Sequence, residues 1–116
     1  MGVRTRTKSY QFHAEVEWTG ERMGLLHAAE KASLDVATPP EFKGHPGVWS
    51  PEDLFVESVN ACLMLTFLNL AERRQLRLRS YESNAIGTLE FEDGSLRFTH
   101  IDVFPVITTE EEEDGG

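Results

Sequence analysis

The chain has 116 residues, 40% of them hydrophobic and 27% charged, which suits a single domain that can build a core and stay in solution. Its net charge of −9 at pH 7 argues against a nucleic-acid or anionic-membrane partner, because phosphate binding needs a clustered basic surface and the eleven bases are dispersed among twenty acids. A single cysteine, Cys62, rules out an intrachain disulfide scaffold. No charged segment leads into an apolar one near the start, and the longest apolar stretch, Ala61 to Ala71, is interrupted by Thr66 and Asn69 and reads as too short to span a bilayer, so the expected setting is cytoplasmic.

In chain order, Tyr10, Phe12, Ala14, Val16 and Trp18 alternate with polar residues, the period of a half-buried strand. Thr19-Gly20-Glu21 reads as a turn, Met23 to Glu30 as a second strand, and Ala32, Leu34 and Val36 mark a third. The prolines and glycines of Thr38 to Gly47 predict a loop longer than a simple connector, and such loops are often functional. A helix start follows: Ser50 as N-cap, Pro51 at the first helical position and Asp53 as a weak capping-box acid. After the helix, Ser80 to Phe91 and Leu96 to Ile107 form a hairpin around Asp93-Gly94, with Pro105 placing the strand's end at an edge. The predicted organisation is one domain over residues 1–116, with an N-terminal β-sheet over 8–37, a loop over 38–49, a helix over 50–75, a hairpin over 80–107 and an acidic tail over 108–116. The tail reads as a solvated charge run, or alternatively as the first turn of a further helix.

The helix is apolar on nearly every side: Leu54, Phe55, Val56, Val59, Leu63, Met64, Leu65, Phe67, Leu68 and Leu70 surround it. Such a helix is buried on every side. In a chain this short, the elements that wrap it are expected to include those of a second copy.

The order of three strands, long loop, Ser50-Pro51-Glu52-Asp53-Leu54-Phe55, Ala61-Cys62 ten residues after the glutamate, and long hairpin resembles the OsmC/Ohr family, the osmotically induced and organic-hydroperoxide-resistance proteins. "ATPPEF" before the helix and "GTLEFEDGSLRFTHIDV" after it strengthen the likeness. The resemblance implies an α+β fold, antiparallel sheets wrapped around a long buried helix in an intertwined homodimer. It also implies a thiol-dependent peroxidase that reduces organic hydroperoxides and is recycled by a thiol or dithiol reductant. By position Cys62 matches the reactive cysteine, Glu52 the glutamate of the Pro-Glu motif, and Arg22, on a looser match, the arginine of the N-terminal hairpin. The family continues into a second helix with a resolving cysteine. This sequence ends at Gly116 with no second cysteine, and the expectation is that it is cut short.

The chemistry makes its own demands. A peroxidatic thiol must ionise near neutrality, below the ordinary thiol value of about 8.5. The helix dipole acts within the first turn, and Cys62 lies well beyond it. Burial opposes ionisation, so a cation must approach. On this reading Arg22 faces the thiolate and the peroxide oxygens, and Glu52 orients the guanidinium. Ten helical residues separate Glu52 from Cys62 by roughly 15 Å along the axis, so the glutamate does not touch the thiol of its own chain. The competing readings are a non-catalytic OsmC-like dimer, structural or binding an apolar small molecule, and a truncated chain without activity. His13, His27, His45 and His100 have no metal-ligand spacing, and neither a metal nor another cofactor is expected.

Overall fold

The structure, a computed structural model, describes residues 8–110. The last six residues of the expected acidic tail lie outside the described residues. The fold is α+β, with two antiparallel sheets and one long helix. By backbone contacts the chain divides into two compact units, residues 1–51 and 52–116.

The first unit is a three-stranded antiparallel sheet in the order β1-β2-β3, formed by β1 (Glu15–Gly20), β2 (Met23–His27) and β3 (Leu34–Ala37). The register pairs Glu15 with His27 and Leu26 with Leu34. Alternation then puts Val16, Trp18, Gly24, Leu26, Leu34 and Val36 on one face, and Glu15, Glu17, Leu25, His27 and Asp35 on the other.

The predicted first strand begins later than the alternation from Tyr10 suggests. β2 ends at His27, the partner of Glu15, so Tyr10 to Ala14 have no strand to pair with. β2 ends there because the chain turns at Ala28 to Lys31, where the Lys31 N–H bonds the Ala28 carbonyl and Glu30 takes a positive φ of 62°. The loop after β3 contains a 3₁₀ turn, Pro40–Phe42, and returns to the sheet where Trp49 bridges Val36. Ser50, just before the helix, is 2% exposed.

The second unit carries the helix α1 (Pro51–Arg73) and the hairpin of β4 (Leu78–Glu92) and β5 (Ser95–Thr109). The helix stops two residues short of the predicted end: Gln75 adopts φ 56° and the Leu76 N–H reaches back to the Ala71 carbonyl, a left-handed cap. Asp93 and Gly94 both have positive φ, 48° and 83°, as a two-residue type I′ hairpin turn requires.

Pro105 lies within its strand, as the expected span to Ile107 has it. It sits opposite Ser83 and β5 continues to Thr109, because a strand of a two-stranded sheet has an unpaired edge that tolerates a missing N–H. The start of the expected tail, Thr108 and Thr109, is therefore strand.

One face of the hairpin receives the helix. Phe55 and Phe98 lie with ring centroids 4.9 Å apart, Phe67 and Tyr81 5.7 Å apart, and the Ser83 hydroxyl donates to the Asn60 side-chain carbonyl. The helix is not enclosed within one chain: Ala71 is its one residue classed as buried, and Phe55, Val59, Leu63, Leu65 and Leu70 are each more than a third exposed. Its 23 residues are long and apolar enough to cross a membrane by length and composition. The apolar run is longer than the expected Ala61 to Ala71, because Leu54, Phe55, Val56 and Val59 extend it toward the N-terminus.

Candidate active site

Cys62 is exposed. Its position follows from the helix periodicity. Val56, Asn60 and Phe67 contact the hairpin; Cys62, two residues past Asn60, is about 200° around the axis from it, on the same side as Phe55, whose ring reaches Phe98. Leu65 shares that side and is 59% exposed. Cys62 and Leu65 are thus both open to solvent.

Glu52 lies in the first turn of the same helix, where a carboxylate complements the helix dipole. Its Oε1 is shielded from solvent yet has no hydrogen-bond partner among the described residues. A shielded carboxylate oxygen without a donor is costly, so this atom is the one in the unit that most needs a cation or an N–H. Glu52 and Cys62 are kept apart by roughly 15 Å of helix rise.

Arg22 belongs to the first unit, at the turn between β1 and β2. Trp18 Nε1–H donates to the Glu21 carbonyl at 2.8 Å and pins the turn, in which Gly20 and Glu21 have positive φ. The Arg22 carbonyl accepts from the Thr38 N–H, and its Nη1 donates to the Phe42 carbonyl at 3.3 Å. The guanidinium is thus held by the long loop. It also borders a cleft of about 720 Å³ lined by Val16, Trp18, Gly24 and Val36, the apolar face of the sheet.

Phe42 was not singled out from the sequence. Its role is carried by a main-chain carbonyl, and the readable signal is "TPPEFKG", whose prolines start the 3₁₀ turn and whose Gly44 closes it. A Cβ at Gly44 would overlap the Thr38 carbonyl and come within 2.8 Å of the Pro39 oxygen. Lys43 takes the left-handed conformation, φ 67°. Among the described residues no group of three His, Cys, Asp or Glu side chains is arranged to hold a metal ion.

A long apolar helix with a Pro-Glu start, a cysteine ten residues on and a hairpin packed along one side is matched by a family model described as OsmC-like protein, over residues 44–115. The chain belongs to the OsmC-like family. The matched span includes Glu52 and Cys62 and leaves out Arg22.

No curated protein matches the chain. Among solved structures, the OsmC-like protein of unknown function from Vibrio cholerae is 20% identical with a TM-score of 0.83, covering 91% of this chain and 79% of that one. The OsmC-like protein from Mycoplasma pneumoniae is 12% identical with a TM-score of 0.76, covering 91% and 74%. An organic hydroperoxide resistance protein OsmC from Legionella pneumophila is 21% identical with a TM-score of 0.72, covering 90% and 76%. At these identities the likeness is one of fold. The OsmC-like fold thus agrees with the expectation from "SPEDLF" and "NAC".

Proposed function

We propose that this OsmC-like chain is a cysteine-based peroxidase that reduces organic hydroperoxides in the cytoplasm, acting as a homodimer. The observation that carries the reading is the exposed Cys62 at mid-helix in a chain of this family. Family membership favours a protein cover for that helix over a bilayer, and a second copy supplies one of the right chemistry: Leu63, Leu65 and Leu70 would meet apolar residues instead of water.

In the proposed reaction the Cys62 thiolate attacks the distal peroxide oxygen. An S–O bond forms, the O–O bond breaks, and the alkoxide takes a proton and leaves as an alcohol. Arg22 stabilises both the thiolate and the developing alkoxide, and Glu52 orients the guanidinium. Two observations support these roles: the shielded Oε1 of Glu52 lacks a donor among the described residues, and Arg22 borders an apolar cleft suited to an alkyl tail. An external thiol or dithiol then reduces the sulfenic acid to thiol and water, itself becoming a disulfide.

The test is the intact mass after one equivalent of an organic hydroperoxide without reductant. A gain of one or two oxygens in the wild type, absent from Cys62→Ser, is expected. An unmodified Cys62 after excess hydroperoxide rejects the peroxidase and leaves a binding or structural member of the family.

A further inference from the structure

The polar face of the N-terminal sheet carries a hydrogen-bonded chain that the peroxidase reading does not use. His27, the last residue of β2, lies between Glu17 on β1 and Ser33, which precedes β3. Its Nε2 is 2.8 Å from Glu17 Oε1 and its Nδ1 is 3.0 Å from Ser33 Oγ. One neutral tautomer satisfies both contacts: Nε2–H donates to the carboxylate, and Nδ1 accepts from the serine hydroxyl.

We propose that Ser33, His27 and Glu17 form a second reactive site, an acyl-accepting serine that takes short, uncharged acyl esters. The geometry meets the requirement for an activated nucleophile, a hydroxyl within hydrogen-bond reach of a base that a third group orients. Ser33 is exposed, and so is open to a reagent. The cleft of about 760 Å³ that His27 lines with His13, Ala14, Val16, Ala28 and Ala29 does not have Ser33 in its lining, so no pocket for a long acyl chain adjoins the hydroxyl and the ester is a short one. Glu15 and Glu17 line the same cleft and Asp35 shares the sheet face, so an anionic ester is repelled.

In the first step Ser33 Oγ attacks the ester carbonyl carbon and His27 Nδ1 takes the hydroxyl proton. The carbonyl–alkoxy bond breaks and the leaving alcohol takes that proton. Water then attacks the acyl-serine by the same route, which returns the free hydroxyl and releases the acid.

The test uses the 116-residue Cys62→Ser protein, so that no thiol contributes and the outcome is independent of the peroxidase reading. A small alkyl fluorophosphonate is the probe, p-nitrophenyl acetate the substrate, and Ser95, an exposed hydroxyl at the start of β5 that donates to the Glu92 carbonyl, the internal reference. A positioned base contributes about 10²–10⁴-fold, and for so exposed a site the lower end, about 10², is expected for labelling of Ser33 over Ser95. His27→Gln brings Ser33 down to the Ser95 rate. Glu17→Gln, which keeps an acceptor in place and spares the sheet, lowers it about tenfold, and Ser33→Ala removes the ester hydrolysis above background. Equal labelling of Ser33 and Ser95, undiminished labelling in a His27→Gln protein with native far-UV circular dichroism, or no effect of Glu17→Gln each overturns the proposal.

Discussion

Gly87 of β4 lies so close beneath Val56 of α1 that a Cβ on the glycine would overlap the valine side chain and come within 2.9 Å of Phe98 Cε1. The absence of a side chain at this one strand position lets the helix settle onto the hairpin, next to the Phe55–Phe98 ring pair. Gly87→Ala is therefore expected to destabilise the protein by about 1–3 kcal/mol, the usual range for overpacking a filled site. Urea denaturation gives the value, and an unchanged midpoint would show that the helix can shift without loss. Gly94→Ala is a useful contrast. It meets open space, and its penalty comes from the positive φ of 83° alone.

Gly44 answers to a different constraint. Its added Cβ would meet main-chain atoms of Thr38 and Pro39, which cannot rotate away. Gly44→Ala is expected to open the turn in which Phe42, Lys43 and Gly44 N–H groups bond back to Pro39 and Pro40, and to free the Arg22 guanidinium from the Phe42 carbonyl. Amide hydrogen exchange should speed up over residues 38–45 with β4 and β5 unaffected. Exchange that is unchanged in the loop rejects the account.

On the proposed mechanism Arg22 sets the reactivity of Cys62. Arg22→Ala is expected to slow alkylation of Cys62 at neutral pH by about tenfold or more, because the thiolate loses its nearby cation. Arg22→Lys should restore it only in part, since an ammonium lacks the planar fork. Gly44→Ala should act in the same direction more weakly. If alkylation rates are the same in wild type and Arg22→Ala, Arg22 is not the partner of the thiol.

How far the sequence was legible depends on how local each signal is. Asp93-Gly94 encodes its own turn, and Ser50-Pro51 its own helix start, so both were readable without tertiary knowledge. The strand from Tyr10 was not, because pairing is decided by where the partner ends, at His27. Pro105 is legible as an edge position, because a residue without an N–H is tolerated on the unpaired side of a strand. At the site, Glu52 and Cys62 were visible through their spacing, whereas the Phe42 carbonyl that holds Arg22 is a main-chain group whose use depends on the path of the loop. The Glu17–His27–Ser33 chain is not legible in the sequence, because strand pairing, not spacing along the chain, joins these residues.

The exposed side of α1 leads to a prediction about assembly. The protein is expected to sediment as a dimer of the 13.1 kDa chain at micromolar concentration. Leu65 is 59% exposed and on the Cys62 side of the helix, so Leu65→Glu should improve a true monomer surface but dissociate a dimer packed there. A wild type that sediments as one chain rejects the assembly. A dimer unaffected by Leu65→Glu moves the interface to another surface, for which the exposed Ile86, Phe104 and Val106 on the outer face of the hairpin are the next place to substitute.

The last prediction concerns what oxidation leaves on the sulfur. The 116 residues hold no cysteine besides Cys62, so in the 116-residue protein a sulfenic acid formed there has no second thiol among these residues to condense with. A disulfide between the two Cys62 residues of a dimer would need their Cα atoms within about 7 Å. Two apolar helices packed side by side hold their axes about 8–10 Å apart, which disfavours that bridge unless the sulfurs lie at the point of crossing. The expected products are therefore a sulfenic acid that advances to sulfinic acid with excess hydroperoxide, and, when a small thiol is present, a mixed disulfide at Cys62. Turnover should be slow without added thiol and should rise with its concentration. Mass spectrometry distinguishes the outcomes directly: one oxygen, two oxygens, or the mass of the thiol less two hydrogens, all lost in Cys62→Ser. A non-reducing gel that shows a covalent dimer as the main product would instead place the two sulfurs at the helix crossing.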